Sequence, residues 1–294
     1  MFVMVLSYIA VLVLVASGIY AMVKQRTVVN AVLLFTVLLL AGIIIFDQLS
    51  LQFLDNYSVF KQISLYLESL LPGSILLLAF TYGRSRPFKT LSKIWLGFIA
   101  ALVLLPLAIV LLVGNDLYYS PDFQNERVLF LGTAGYWYYI GIMVSLVISL
   151  ASVEVTLAAT HGIARHRMKF EALGIMSLFA VLIFYYSQGL LYRSINMNLI
   201  PIRSSVCIIA ALLIAYSHAF RGSGTRVSIS RHILYRSITL LVVGVYLLGL
   251  GLVGEGMRYF GVSFGGDLTV ILAFVGAIKP SHIFDSVLNG LLRP

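Results

Sequence analysis

Residues 28–46 read VVNAVLLFTVLLLAGIIIF and run into Asp47 without a single charged side chain. At 1.5 Å per residue this stretch is about 28 Å long as a helix, close to the hydrocarbon thickness of a bilayer. Its few polar members, Asn30 and Thr36, are too sparse to make one face hydrophilic. The run therefore reads as a membrane span, and the rest of the chain is read from it.

Upstream lies a second such run, 2–22, separated from the first by Lys24 and Arg26. Downstream, apolar runs recur at about 59–82, 94–113, 132–157, 172–192, 204–220 and 238–258. A shorter ninth stretch, 262–279, contains only 11 continuous apolar residues, Leu268 to Ile278. Composition agrees. The 294 residues are 61% hydrophobic and 11% charged, with a mean hydropathy of +1.01. Soluble domains are about 25% charged. This excludes a disordered chain, a secreted disulfide scaffold (Cys207 is alone) and a nucleic-acid-binding domain. The expected fold is all-α: a polytopic membrane bundle of eight or nine transmembrane helices over residues 1–279. A short amphipathic tail, 280–294, follows. There Ile283, Phe284, Val287, Leu288, Leu291 and Leu292 share one helical face. No cleavable signal peptide is expected. No positive residue precedes the first apolar run, and that run is too long for a signal sequence.

Orientation follows from Lys and Arg. With the N-terminus outside, fifteen of the twenty fall on the cytoplasmic side. The other five, Lys61, Arg127, Arg193, Arg203 and Arg258, fall on the outer side. The net charge of +9 is thus a topology signal. A ninth span puts the C-terminus in the cytoplasm. The expected location is a bacterial inner membrane. Tyr118, Tyr119, Tyr136, Trp137, Tyr138 and Tyr139 cluster near the outer boundary and read as an interfacial aromatic belt.

Glu68 is the most informative residue. It lies mid-span, where an ionisable group costs roughly 2.5–3.5 kcal/mol on insertion scales. Pro72 follows four residues later and lacks the N–H that would bond the Glu68 carbonyl. A carboxyl and a freed backbone oxygen therefore coincide, as a ligand, cation or proton site requires. The alternative is a protonated Glu bonded to a neighbouring helix beside a proline kink. Tyr185, Tyr186, Ser187 and Gln188 form the other polar stretch at matching depth. They are candidate sensing residues, with packing hydrogen bonds as the plainer explanation. Ser145, Ser149, Ser152 and Thr156 share one face, which suits close helix packing.

Signatures of catalysis are missing. There is no H-E-x-x-H, P-loop, dinucleotide fingerprint or G-x-S-x-G. Five histidines are too few for a membrane di-iron site. No catalytic residue, metal site or cofactor is expected in this chain.

One further pattern is more specific. Lys169-Phe170-Glu171-Ala172-Leu173-Gly174 is followed by Tyr186-Ser187-Gln188-Gly189-Leu190-Leu191-Tyr192-Arg193. Next come Val227-Ser228-Ile229-Ser230-Arg231-His232 and Ser237-Ile238-Thr239-Leu240-Leu241. Gly244-Val245-Tyr246-Leu247-Leu248 and Arg258-Tyr259-Phe260-Gly261 close the set. This ordered set resembles the N-terminal membrane part of the PEP-CTERM/exosortase-associated histidine kinases of bacteria, which have a seven-helix-type sensor region. The resemblance covers about residues 165–262, and the earlier spans match by topology alone. It implies a signal-input module of a two-component system. Its downstream kinase module and response regulator would control exopolysaccharide or PEP-CTERM protein expression, and a homodimer would be the working form. The kinase core belongs to the family's C-terminal part and is not in this chain. An interrupted kinase and a stand-alone sensor remnant both remain open.

On this reading the ligand is a small molecule or a lipid-derived one. Arg231, His232, Tyr246, Glu255 and Arg258 are the candidate signal-transmission residues. A second reading is a small transporter or channel-like protein with Glu68 and Pro72 at its substrate or proton site.

Overall fold

A computed structural model describes residues 2–83, 93–160 and 162–220. The expected spans 238–258 and 262–279, the tail 280–294, and Arg231, His232, Tyr246, Glu255 and Arg258 lie outside the described residues.

Seven long helices alternate in direction: α1 (Phe2–Lys24), α2 (Val28–Gln52), α3 (Tyr57–Thr81), α4 (Lys93–Val113), α6 (Thr133–Ala159), α7 (Gly162–Tyr192) and α8 (Ile200–Phe220). A four-residue helix, α5 (Phe123–Glu126), lies between α4 and α6. Among the described residues, six helical segments are long and apolar enough to cross a membrane. They are Met4–Lys24, Val28–Gln52, Leu54–Thr81, Thr133–Ala159, Met168–Tyr192 and Met197–Ala219. Ala100–Val113 of α4 is a shorter apolar helix.

The six spanning helices close into a ring in the order α1, α2, α3, α6, α7, α8 and back to α1. α4 sits outside, against α3 and α6. Side chains facing the ring interior, such as Leu14, Leu33, Leu65, Leu146, Ile175 and Ile214, are fully buried. Outward-facing Leu12, Val23, Val28 and Leu112 are 69–83% exposed, as helices facing lipid require.

Small residues permit the closest approaches. A Cβ on Gly174 of α7 would lie 2.7 Å from Ile214 Cγ1 and 2.9 Å from the Ala210 carbonyl oxygen of α8. Ser145, Ser149, Ser152 and Thr156 are all buried on α6. The first, second and fourth donate to carbonyls one turn back. Ser152 reaches the Ala79 carbonyl of α3 at 3.4 Å.

The fold is mostly helical, and one feature departs from the all-α expectation. β1 (Tyr118–Tyr119), β2 (Val128–Leu131) and β3 (Ser194–Asn196) form a small antiparallel sheet with β2 in the centre. Leu129 opposes Ile195, and Tyr119 opposes Phe130. Apolar and aromatic residues at alternate positions favour a strand, and Leu129, Leu131 and Ile195 are buried beneath it. The sheet lies at the bundle end that holds the N-termini of α6 and α8.

Two helix boundaries also differ from expectation. α2 continues past Asp47 to Gln52, because Asp47 is paired inside the bundle and marks no boundary. α7 begins at Gly162, ten residues before the apolar run, since Ala, Arg, Met, Lys and Glu there are good helix formers.

Candidate functional site

At the sheet end, four charged side chains meet inside the ring. Asp47 comes from the last turns of α2, Lys61 and Glu68 from α3, and Arg203 from the first turn of α8. All are at most 1% exposed. Lys61 Nζ donates to Asp47 Oδ1 at 2.8 Å. Ser64 Oγ donates to the same oxygen at 2.7 Å. Arg203 Nη2 donates to Asp47 Oδ2 at 2.7 Å. Glu68 Oε1 lies 3.5 Å from Lys61 Nζ, and Tyr139 of α6 donates its phenol proton to Glu68 Oε2 at 2.9 Å. Two acids and two bases make the cluster formally neutral. That balance is what allows it to exist away from water, since each buried ion costs several kcal/mol in desolvation.

Tyrosines complete the enclosure. The Arg203 guanidinium lies over the Tyr185 ring, 4.9 Å from its centroid. The Tyr186 ring packs on Tyr139 at 5.3 Å. Tyr138 donates to the Leu65 carbonyl at 3.3 Å. α1 joins through Ser7, whose hydroxyl is 3.3 Å from that of Ser204. All six ring helices therefore meet at this level. Several polar atoms have no hydrogen-bond partner among the described residues: Glu68 Oε1, Tyr186 OH, and Nε and Nη1 of Arg203. Tyr118 of β1 lies near these charges, and burial pushes its phenol up to about 12.

The sequence-derived site is partly assembled. Glu68 is buried, in contact with Lys61 and Tyr139. Pro72 is buried four residues along an unbroken α3. Tyr185 and Tyr186 are buried at the cluster. Ser187 and Gln188 are not part of it. Ser187 bonds back to the Phe184 carbonyl at 2.9 Å. Gln188 lines a cleft of about 370 Å³ beside β3. The aromatic belt is also divided. Tyr119 and Trp137 are 60% and 57% exposed, but Tyr136, Tyr138 and Tyr139 are buried.

Sequence reasoning missed Asp47, Lys61 and Arg203 as site residues. Each lies near one end of an apolar run, where a charge ordinarily reaches the interface along its own stem. The one available signal was that three charges of opposite sign share one predicted depth.

A second, smaller polar site lies toward the other end of the same ring. His218 of α8 faces Asn30 Oδ1 of α2 at 3.4 Å and Glu171 Oε1 of α7 at 3.9 Å. Its Nδ1 is 3.0 Å from the Ile214 carbonyl. Asn30 is oriented by donating to the Ala21 and Gln25 carbonyls, at 3.0 and 2.9 Å. Asn30 and Asp47 are seventeen residues apart on α2, about 25 Å along a helix. His218 and Arg203 are fifteen apart on α8, about 22 Å. Between them α2, α7 and α8 present mainly apolar side chains, while α6 places buried Ser145, Ser149, Ser152 and Thr156 along the same depth. Leu33, Val37, Leu40, Ile43 and Ile44 of α2, Cys207, Ala210, Ala211 and Ile214 of α8, and Leu178, Phe179 and Leu182 of α7 belong to one buried apolar cluster.

Comparison with known protein families, with curated proteins and with solved structures finds no match to this chain.

Proposed function

We propose that this chain is a membrane-embedded signal-input module serving a two-component histidine kinase system of the PEP-CTERM/exosortase-associated type. One observation carries the reading. Three helices, α2, α7 and α8, each contribute to both polar sites, and mainly apolar stretches of these helices separate the two. That is the geometry of a coupled pair of sites: a change in pairing at one end of a stiff helix moves groups at the other. The resemblance in Lys169–Gly174 and Tyr186–Arg193 supports the same assignment, since those two stretches contain Glu171 of one site and Tyr186 of the other.

The mechanism is a population shift. The Asp47–Lys61–Glu68–Arg203 cluster ties α2, α3 and α8 together through shared ion pairs. A ligand or membrane change that strengthens or breaks them favours one packing of α2, α7 and α8 over another. The size of the response is limited by the differential affinity for the two packings. In this reading the sheet end faces the outside and the His218 end faces the cytoplasm, where a kinase module and response regulator receive the signal. A transporter or channel, with Glu68 and Pro72 on its path, needs polar lining along its length. The buried hydroxyls along α6, at Ser145, Ser149, Ser152 and Thr156, each donate to a backbone carbonyl, which weighs against their lining such a path.

The test is genetic. The gene is deleted, then complemented with the wild-type chain or with Asp47→Asn and Glu68→Gln forms, and exopolysaccharide and PEP-CTERM gene transcripts are measured. Loss of regulation on deletion, with altered set-points in the variants, is expected. An unchanged transcript profile in the deletion strain overturns the reading, and solute flux in proteoliposomes would then point to transport.

A further inference from the structure

The cleft beside the charged cluster has its own chemistry. Its wall includes Tyr185, Gln188, Gly189 and Tyr192 of α7, and Ser194 and Asn196 of β3. About 370 Å³ is at the small end of the range for small-molecule sites. Among the described residues, none of its lining side chains is charged. Arg193 follows Tyr192 directly in the chain but is not among the lining residues, and its guanidinium lies over the Tyr136 ring at 5.0 Å.

We infer that this cleft binds an uncharged polyhydroxyl group, a monosaccharide ring. Three features carry the assignment. First, an ionic ligand recruits Arg, Lys or a carboxylate for charge-assisted bonds, and the lining has none. Second, Gln188, Ser194 and Asn196 supply side chains that both donate and accept. Sugar hydroxyls have the same dual character, which a purely apolar ligand lacks. Third, Tyr185 and Tyr192 bring aromatic rings to the lining, with Arg203 over one face of Tyr185. An aromatic face is electron-rich, and the C–H-bearing face of a sugar ring is its complement. Tyr192 is 67% exposed at the rim, and Tyr185 is buried at the inner wall.

Two helix ends fix the backbone around the cleft. Arg127 and Arg193 hold left-handed conformations, with φ of 53° and 48°. They adjoin Val128 and Ser194, where β2 and β3 pass the cleft. They close α5 and α7, where a left-handed residue commonly ends a helix. Here the carbonyls of both are engaged: Arg127 accepts from Met197 N–H at 3.1 Å, and Arg193 accepts from Leu131 N–H at 2.8 Å. Tyr185 also joins the cleft to the cluster, because its ring carries Arg203, which holds Asp47. A sugar seated against Tyr185 would bear directly on the ion network. The inference deepens the sensor reading and rests on it for the meaning of binding, though not for binding itself.

The shared chemistry has two sources, a free saccharide and the headgroup of a neutral glycolipid. The experiment uses the full chain in phosphatidylcholine nanodiscs, made without glycosidic detergents. Binding of glucose, galactose and N-acetylglucosamine is measured by calorimetry. Glucuronate and inorganic phosphate serve as charged counterparts, and nanodiscs containing monoglucosyl diacylglycerol test the lipid source. Hydroxyl-radical footprinting of the exposed Tyr192 in the wild-type chain reports occupancy without any variant.

Saturable binding of a neutral sugar, or protection by the glycolipid alone, is expected. Binding should weaken at least tenfold in Gln188→Ala and Tyr192→Ala and be unchanged in Tyr216→Ala, at the far end of α8. Protection of Tyr192 only in glycolipid nanodiscs would assign the lipid source. The inference is overturned by absence of binding and protection with every neutral sugar and the glycolipid. It is equally overturned if folded Gln188→Ala and Tyr192→Ala chains bind as wild type, or if glucuronate or phosphate protects the cleft instead. Sugar binding with no transcript change on gene deletion would remove the sensor reading and leave the cleft assignment. A transcript change with no sugar binding would do the reverse.

Discussion

Arg203 and Asp47 are 156 positions apart in the chain, and their side chains meet at 2.7 Å inside the bundle. The bond ties the end of α2 to the start of α8, and Lys61 ties the same carboxylate to α3 at 2.8 Å. Asp47 is thus the shared counter-ion of two buried cations.

Removing that carboxylate leaves Lys61 and Arg203 to share Glu68. Asp47→Ala should destabilise the bundle by about 3–5 kcal/mol, the usual cost of breaking a buried pair. The Asp47→Ala/Lys61→Met double variant restores neutrality with Arg203 and Glu68 and should recover a large part of the loss. Thermal unfolding of the four members of the cycle in nanodiscs reads the coupling. Additive losses would show that the two residues do not interact.

Tyr139 is the hydrogen-bond donor to Glu68 Oε2. Tyr139→Phe keeps the ring packing on Tyr138 and Tyr186 and removes only the hydroxyl. The Glu68 carboxylate then loses its one direct hydrogen bond among the described residues, at a cost of about 1–3 kcal/mol. In a Glu68→Gln background the same change should cost less. An equal cost in both backgrounds would place the effect in packing rather than in the bond.

Gly174 lets α7 and α8 approach closely. Its Cβ position meets the Ala210 carbonyl oxygen, which is backbone and cannot rotate away. Gly174→Leu should force the helices apart, at a cost of about 1–3 kcal/mol or more. Gly97, with open space around it, is the comparison site, where Gly97→Leu should be nearly silent. Equal melting shifts at the two positions would contradict the packing described.

Tyr118 should make stability fall at high pH. Its phenol is neutral in the fold up to about 12, against an ordinary value of 10.0. The unfolded chain therefore releases this proton first as pH rises. The stability tied to the neutral phenol is complete below about pH 10 and is lost as pH rises toward 12. Tyr118→Phe should flatten that part of the melting-temperature profile. A profile identical to wild type would show that Tyr118 does not contribute.

Orientation is testable with single cysteines in a Cys207→Ala background. Asp122→Cys lies at the sheet end, and Lys24→Cys at the opposite end of α1. A membrane-impermeant maleimide added to intact cells should label position 122, and should label position 24 only after permeabilisation. The reverse pattern would invert the proposed topology.

Helix placement was largely legible. The runs at 28–46, 132–157 and 204–220 appear as α2, α6 and α8 with ends displaced by a few residues. Run length and the absence of charge are local properties, and a helix in lipid must satisfy its own backbone hydrogen bonds. The shared face of Ser145, Ser149, Ser152 and Thr156 was legible for the same reason, since helical periodicity alone sets it. The sheet was not. β3 is three residues long and is held by pairing with β2 across more than sixty positions, so no local pattern announces it.

The candidate site divides along the same line. Glu68 stood out because a lone carboxyl in an apolar run is anomalous wherever the helix packs, and Tyr185 and Tyr186 stood out with it. Asp47, Lys61 and Arg203 did not, since a charge near a span end can be solvated by water, by headgroups or by a partner. The primary structure by itself determined which segments are apolar runs and that Glu68 lies at the middle of one of them. Tertiary structure alone decided that α2, α3 and α8 adjoin around the ring, so that three apparent boundary charges became one buried network. The physical reason is range. Hydrophobic burial is set residue by residue, whereas an ion pair exists only when packing brings two particular side chains within about 3 Å.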